Sequence, residues 1–82
     1  MLVKSKHPVM AYVQKAVKKS EFHSVQHLCK RNSMNYDNVS HYLRSEYKFN
    51  LHTFIALVEL LELDLFEFYA LIYNTEKDKG ML

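Results

Sequence analysis

The side chains with the most chemistry to offer crowd into one stretch, where Tyr36, Asp37, Asn38, Ser40, His41 and Arg44 fall within nine residues. Phenol, carboxylate, amide, imidazole and guanidinium together supply donors and acceptors in several geometries, which is the chemistry of recognition. Bond making is a poorer fit. The chain has no Gly-rich phosphate loop and no nucleophile elbow, so no enzyme activity is expected. Glu59, Glu62 and Glu67 read more simply as the solvent side of helices. A metal is not expected either. His23 and His27 have an i,i+4 spacing with Cys29 close by, but Ser24 starts a helix that leaves His23 outside. No second Cys or paired ligand group completes a tetrahedron. Nothing in the sequence calls for a cofactor or a small-molecule ligand.

The elements that must carry these groups can be read from apolar spacing. Val39, Tyr42 and Leu43 recur at helical intervals, which predicts a helix over Tyr36–Arg44 with its polar residues on the other faces. Before it, Ser24 is a natural N-cap, Leu28 points inward, and the small Cys29 lies beside it. Asn32-Ser33-Met34-Asn35 breaks the pattern with turn-forming side chains, and Asn35 can cap the next helix. Two short helices meeting at a tight corner, the second with a hydrogen-bonding outer face, is the layout of a DNA-reading helix-turn-helix.

Around that pair the chain supplies three more helices. Pro8 suits a first turn, and Val9, Tyr12, Val13, Ala16 and Val17 form a stripe opposed by Gln14, Lys15, Lys18 and Lys19. Ser20–His23 breaks this helix, with Phe22 tucked beneath it. Glu46–Asn50 reads as a loop with Asn50 as a cap. The helix that follows presents Leu51, Phe54, Ile55, Leu57, Val58 and Leu61, more than one narrow stripe, and is expected to be central to the core. Asp64 and Glu67 have capping-box spacing, and Leu63 and Phe68 that of a hydrophobic staple, so a last helix is expected from Asp64 to about Tyr73. These readings divide the chain into a basic arm (1–7), a helix-turn-helix domain (8–74) and a loose charged tail (75–82).

The bulk properties agree. Eighty-two residues make one small domain, and with one Gly and one Pro a set of short strands joined by tight turns is not expected. The expected class is all-α, a compact bundle of about five helices. Cys29 is the sole cysteine and nothing resembles a secretion signal, so a cytoplasmic location is expected. Leu51–Tyr73 is apolar-rich, but Glu59, Glu62, Asp64 and Glu67 interrupt it, which argues against a membrane span. Net charge is only +2 but unevenly spread. Residues 1–44 hold eight Lys or Arg against two acidic residues, whereas residues 45–82 hold three against seven. A polyanion would choose the first half. The last helix carries more apolar surface than a small domain buries, so Phe66, Tyr69, Ile72 and Tyr73 are expected to form a twofold homodimer interface.

So arranged, the chain resembles the lambda-repressor and Cro-like, or XRE-type, helix-turn-helix family without a gap from Ser24 to Phe68. Ser24 and Leu28-Cys29 match the family's Ser/Thr and its later Leu-Ala pair, and Val39-Ser40 matches its Ile-Ser. Met34-Asn35 takes the place of Val-Ser at the entry to the second helix. Leu57-Val58, Leu61, Leu63 and Phe68 reproduce the rhythm of the last two helices. The resemblance implies that Tyr36, Asp37, Asn38 and His41 contact base edges, and that Ser24, Arg44, Tyr47 and Lys48 lie along phosphates, with Lys4 or Lys6 as arm contacts. It implies a dimeric, sequence-specific repressor on a palindromic operator, and the Lys-, Asn- and Tyr-rich, Gly-poor composition looks like that of a phage or mobile-element regulator. Several positions depart from the family. Val25 stands where a Gln commonly braces the DNA backbone, Asn32 for a Leu, Ser33 for the Gly of the turn, Leu43 for a Glu, Ser45 for a second Gly and Phe49 for a Pro. Val25 and Asp37 favour a competing expectation, that the fold serves as a protein-binding module such as an antirepressor or an inhibitor of a host protein.

Overall fold

Pro8 opens the first helix as its sequence position suggests: α1 runs Pro8–Lys18, and the prolyl nitrogen stands where a helix has no internal acceptor. The computed structural model describes residues 7–44, 46, 50–78 and 80. Four more helices follow, α2 (Val25–Arg31), α3 (Tyr36–Leu43), α4 (Leu51–Leu61) and α5 (Leu65–Asp78), with no strand among the described residues. The molecule is an all-α bundle in which α1 touches α2, α3 and α5, and α2 touches α3.

Each later helix starts on a side chain chosen for the purpose. Ser24 accepts the His27 N–H at 3.1 Å, Asn35 that of Asn38 at 3.0 Å, Asn50 that of Thr53 at 2.7 Å, and Asp64 that of Glu67 at 2.9 Å. Each bond satisfies a donor that the helix itself cannot. Val9, Val13 and Val17 of α1 then bury completely beside Leu28 and Cys29 of α2, Val39 and Leu43 of α3, Leu57 of α4 and Phe68 of α5. Phe22 is buried under α1 as expected. At the far side of this core three rings lie nearly parallel. Phe68 stacks on Tyr12 at 5.6 Å between centroids and on Phe54 at 5.3 Å, tying α1, α5 and α4 together. Burial raises the pKa of the Tyr12 hydroxyl, with a hydrogen bond to Glu67 adding to the effect.

The helix α2 ends in a left-handed residue. Ser33 has φ 56°, and the Met34 N–H reaches back to the Cys29 carbonyl at 2.8 Å, closing a Schellman turn. Asn32 is exposed, and its amide donates to the Leu28 carbonyl at 2.9 Å, so this position caps the helix instead of filling the core. Glu62 repeats the device after α4, with φ 52° and Leu63 N–H on the Val58 carbonyl. A left-handed Ser costs more than a left-handed Gly, partly offset by the greater freedom of Gly in the unfolded chain. Ser33→Gly is therefore expected to stabilise the domain by about 0.5–1 kcal/mol, read as a melting temperature higher by roughly 2–8 °C.

Two boundaries and one burial pattern differ from expectation. The last helix does not stop near Tyr73 but continues to Asp78, so the segment expected as a tail from residue 75 begins inside it. Asn74 and Thr75 carry side chains that can compete for the backbone. Here Thr75 Oγ1 instead donates to the Leu71 carbonyl one turn back, at 2.8 Å, and Thr75 and Glu76 are both buried. The helix α4 is less central than its composition suggests. Thr53 and Leu57 are its buried residues, whereas Leu51 is 70 % exposed and Ile55 43 %. The arm residues 1–6 and the tail residues 79, 81 and 82 lie outside the described set.

Candidate nucleic-acid interface

The burial of Val39, Ser40 and Leu43 against α1 and α2 fixes the roll of α3. Ser40, which the apolar spacing leaves on a polar face, is thus turned inward at 7 % exposure. The same roll turns the first turn of α3 outward: Tyr36, Asp37 and Asn38 are all exposed. Asp37 stands in that first turn, where a carboxylate is favoured by the helix dipole. Tyr36 also borders a cleft of about 290 Å³ shared with Lys18 of α1 and with Ser24 and Gln26 at the start of α2. Ser24 and Tyr36, at the starts of α2 and α3, therefore line one cleft. Ser24 is exposed, and its hydroxyl oxygen accepts the capping bond while its proton is left for another acceptor.

The other end of α3 carries a residue that sequence reasoning missed. Beyond Arg44 the Glu46 N–H donates to the His41 carbonyl at 2.9 Å, the same i→i−5 bond that closes α2. This sets the Glu46 carboxylate over the C-terminal end of α3, where Oε1 is 3.1 Å from His41 Nδ1 and 3.1 Å from Arg44 Nε. The hydrogen bond from His41 holds the Glu46 carboxyl below its ordinary pKa, helped by the charges of Arg44, His41 and His7 and opposed by partial desolvation. All three side chains remain between a third and a half exposed. His41 and Arg44 stand at i,i+3, but Glu46 lies beyond the helix, so periodicity gives no hint that it joins them. Tyr47 and Lys48, expected on phosphates, and the arm lysines Lys4 and Lys6 lie outside the described residues.

The basic half of the sequence is partly answered by its acidic half. Lys15 and Lys19 line a cleft of about 500 Å³ whose other wall carries Glu62, Asp64 and Glu67. Arg31 lies over the Phe22 ring at 5.8 Å. Cys29 is buried, whereas His23 and His27 are exposed and His27 Nδ1 is 2.9 Å from the Phe22 carbonyl. Among the described residues no group of three His, Cys, Asp or Glu could hold a metal ion. No helix among them is long and apolar enough to cross a membrane.

Of the expected dimer residues, Phe66 (82 % exposed), Tyr69 (55 %) and Tyr73 (46 %) lie open on α5. Ile72 does not: it is 9 % exposed and belongs to the core, because the i,i+4 step from Phe68 puts both on the inner stripe. The open face extends onto α4 instead. Leu51, Phe54, Tyr69 and Tyr73 line a groove of about 240 Å³ together with Asn50, Ile72 and Glu76.

Set against protein-family models, curated proteins and solved structures, the chain has no match in any of the three.

Proposed function

We propose that this chain is a helix-turn-helix DNA-binding regulator of the lambda-repressor and Cro-like kind. It acts in the cytoplasm as a homodimer that occupies a palindromic operator and represses transcription. The observation that carries the reading is the pairing of α2 with α3 across a four-residue turn, with Tyr36, Asp37 and Asn38 uncovered and Tyr36 sharing a cleft with Ser24. In that docking mode α3 enters the major groove by its N-terminal turn while Ser24 and Arg44 meet the flanking phosphates. Base edges would find an amide in Asn38, a carboxylate suited to the cytosine amino group in Asp37, and a ring hydroxyl in Tyr36. Repression follows from occupancy, and no catalytic step or cofactor enters the reading.

Titration of a mixed-sequence duplex at low and moderate salt tests it. Binding should weaken steeply with salt. Arg44→Ala should lower affinity for every sequence by about the same factor, whereas His41→Ala should chiefly relax sequence preference. Absence of binding at low salt would overturn the proposal.

A second reading, a protein-binding module, is favoured by one observation. Val25 is 7 % exposed and packs into the core, so the position cannot brace a phosphate. Under that reading the same substitutions leave any DNA binding unchanged and abolish a protein complex instead.

A further inference from the structure

We infer that Glu46 sets the strength and salt dependence of DNA binding by this surface, by occupying the groups of Arg44 and His41 that DNA would engage. The inference rests on the DNA-binding reading and adds to it a residue outside the recognition helix. A single carboxylate oxygen meets both partners at 3.1 Å, a charge-assisted arrangement. The position of Glu46 is fixed by a backbone bond, its N–H to the His41 carbonyl at 2.9 Å. The placement is thus a property of the backbone as well as of the side chain.

Solvent reaches all three side chains, so the contact is screened and can open. A phosphate approaching Arg44 must exchange one anion for another, and the displaced carboxylate stays nearby as a like charge. Net release of counterions on binding is then smaller than the number of basic residues suggests. The sequence-independent part of the affinity falls, and the contacts from the uncovered first turn of α3 weigh more in the total.

The test is E46Q, compared with wild type on a mixed-sequence DNA duplex across a salt series, with thermal unfolding confirming that each variant is folded. Affinity at low salt should rise about tenfold, and the slope of log affinity against log salt should steepen by about one. In an Arg44→Ala background the same change should alter affinity less than about twofold, since the group that Glu46 masks is gone. Glu59→Gln, the same loss of charge on the exposed side of α4, should also have less than about a twofold effect. Equal affinity and slope for wild type and E46Q would overturn the inference and leave the DNA-binding reading standing. So would a gain that persists without Arg44 or is matched by Glu59→Gln. If neither protein binds duplex DNA at low salt, both the reading and the inference fall.

Discussion

Phe68→Ala is expected to cost about 3–5 kcal/mol and to leave the domain at the edge of unfolding at ambient temperature. The ring is fully buried, and it is the middle member of the Tyr12–Phe68–Phe54 stack. Its removal opens a cavity where α1, α4 and α5 meet and also loses two ring contacts, each worth roughly 0.5–1.5 kcal/mol beyond area burial. A domain of 82 residues has a total stability of roughly 4–12 kcal/mol at the usual value per residue. One substitution therefore removes a large fraction of it. Urea and thermal unfolding followed by circular dichroism would measure the loss. Phe66→Ala is the paired control on the same helix: at 82 % exposure it should shift monomer stability by no more than about 0.5 kcal/mol. A loss below about 1 kcal/mol at Phe68 would mean that the stack does not hold the three helices together.

The contrast between these two phenylalanines shows what the sequence makes legible. Phe68 is singled out by its place after the Asp64 cap, as the staple partner of Leu63, and Ser24, Asn35, Asn50 and Asp64 all cap the helices assigned to them. Caps are local, and local chemistry reads well from sequence. What fails is whatever depends on a neighbour distant in the chain. Ile72 is apolar and on the last helix, but only the position of Phe68 against Tyr12 and Phe54 decides which stripe faces inward. Likewise α4 is apolar on more than one side, and composition alone cannot tell that Leu51 and Ile55 face outward. The helix runs past Tyr73 with Thr75 and Glu76 buried, and only neighbours outside the segment decide that burial. At the candidate site, the exposed turn Tyr36-Asp37-Asn38 follows from the roll that Val39 and Leu43 impose, and both residues are visible in the sequence. Glu46 is not. It lies beyond the end of α3 and reaches His41 and Arg44 by way of its N–H on the His41 carbonyl, a capping bond that residue spacing does not announce.

Phe66→Glu is expected to leave the fold intact, convert the protein to a monomer, and weaken binding to a two-half-site operator by roughly two to four powers of ten. The expectation follows from the open face of α4 and α5, where Leu51, Ile55, Leu65, Phe66, Tyr69 and Tyr73 remain 43–82 % exposed. Taken together these side chains offer several hundred Å² of contact surface, on the order of the ~800 Å² per partner of a standard interface. A twofold axis through this face would bring each Phe66 near its own counterpart or its close neighbours, so a carboxylate there is buried against apolar surface in both subunits at once. In the monomer the same carboxylate is solvated, which is why stability should be nearly unchanged. Sedimentation at rising protein concentration reads the assembly state, and titration of a palindromic duplex against a single half-site reads the consequence. If dimerisation supplies the second recognition helix, affinity for the half-site should be the same in wild type and variant, and only the palindrome should discriminate. A wild-type protein that stays monomeric at high concentration would remove the dimer from the proposal. Equal binding of both proteins to the palindrome would mean that each α3 reads DNA alone.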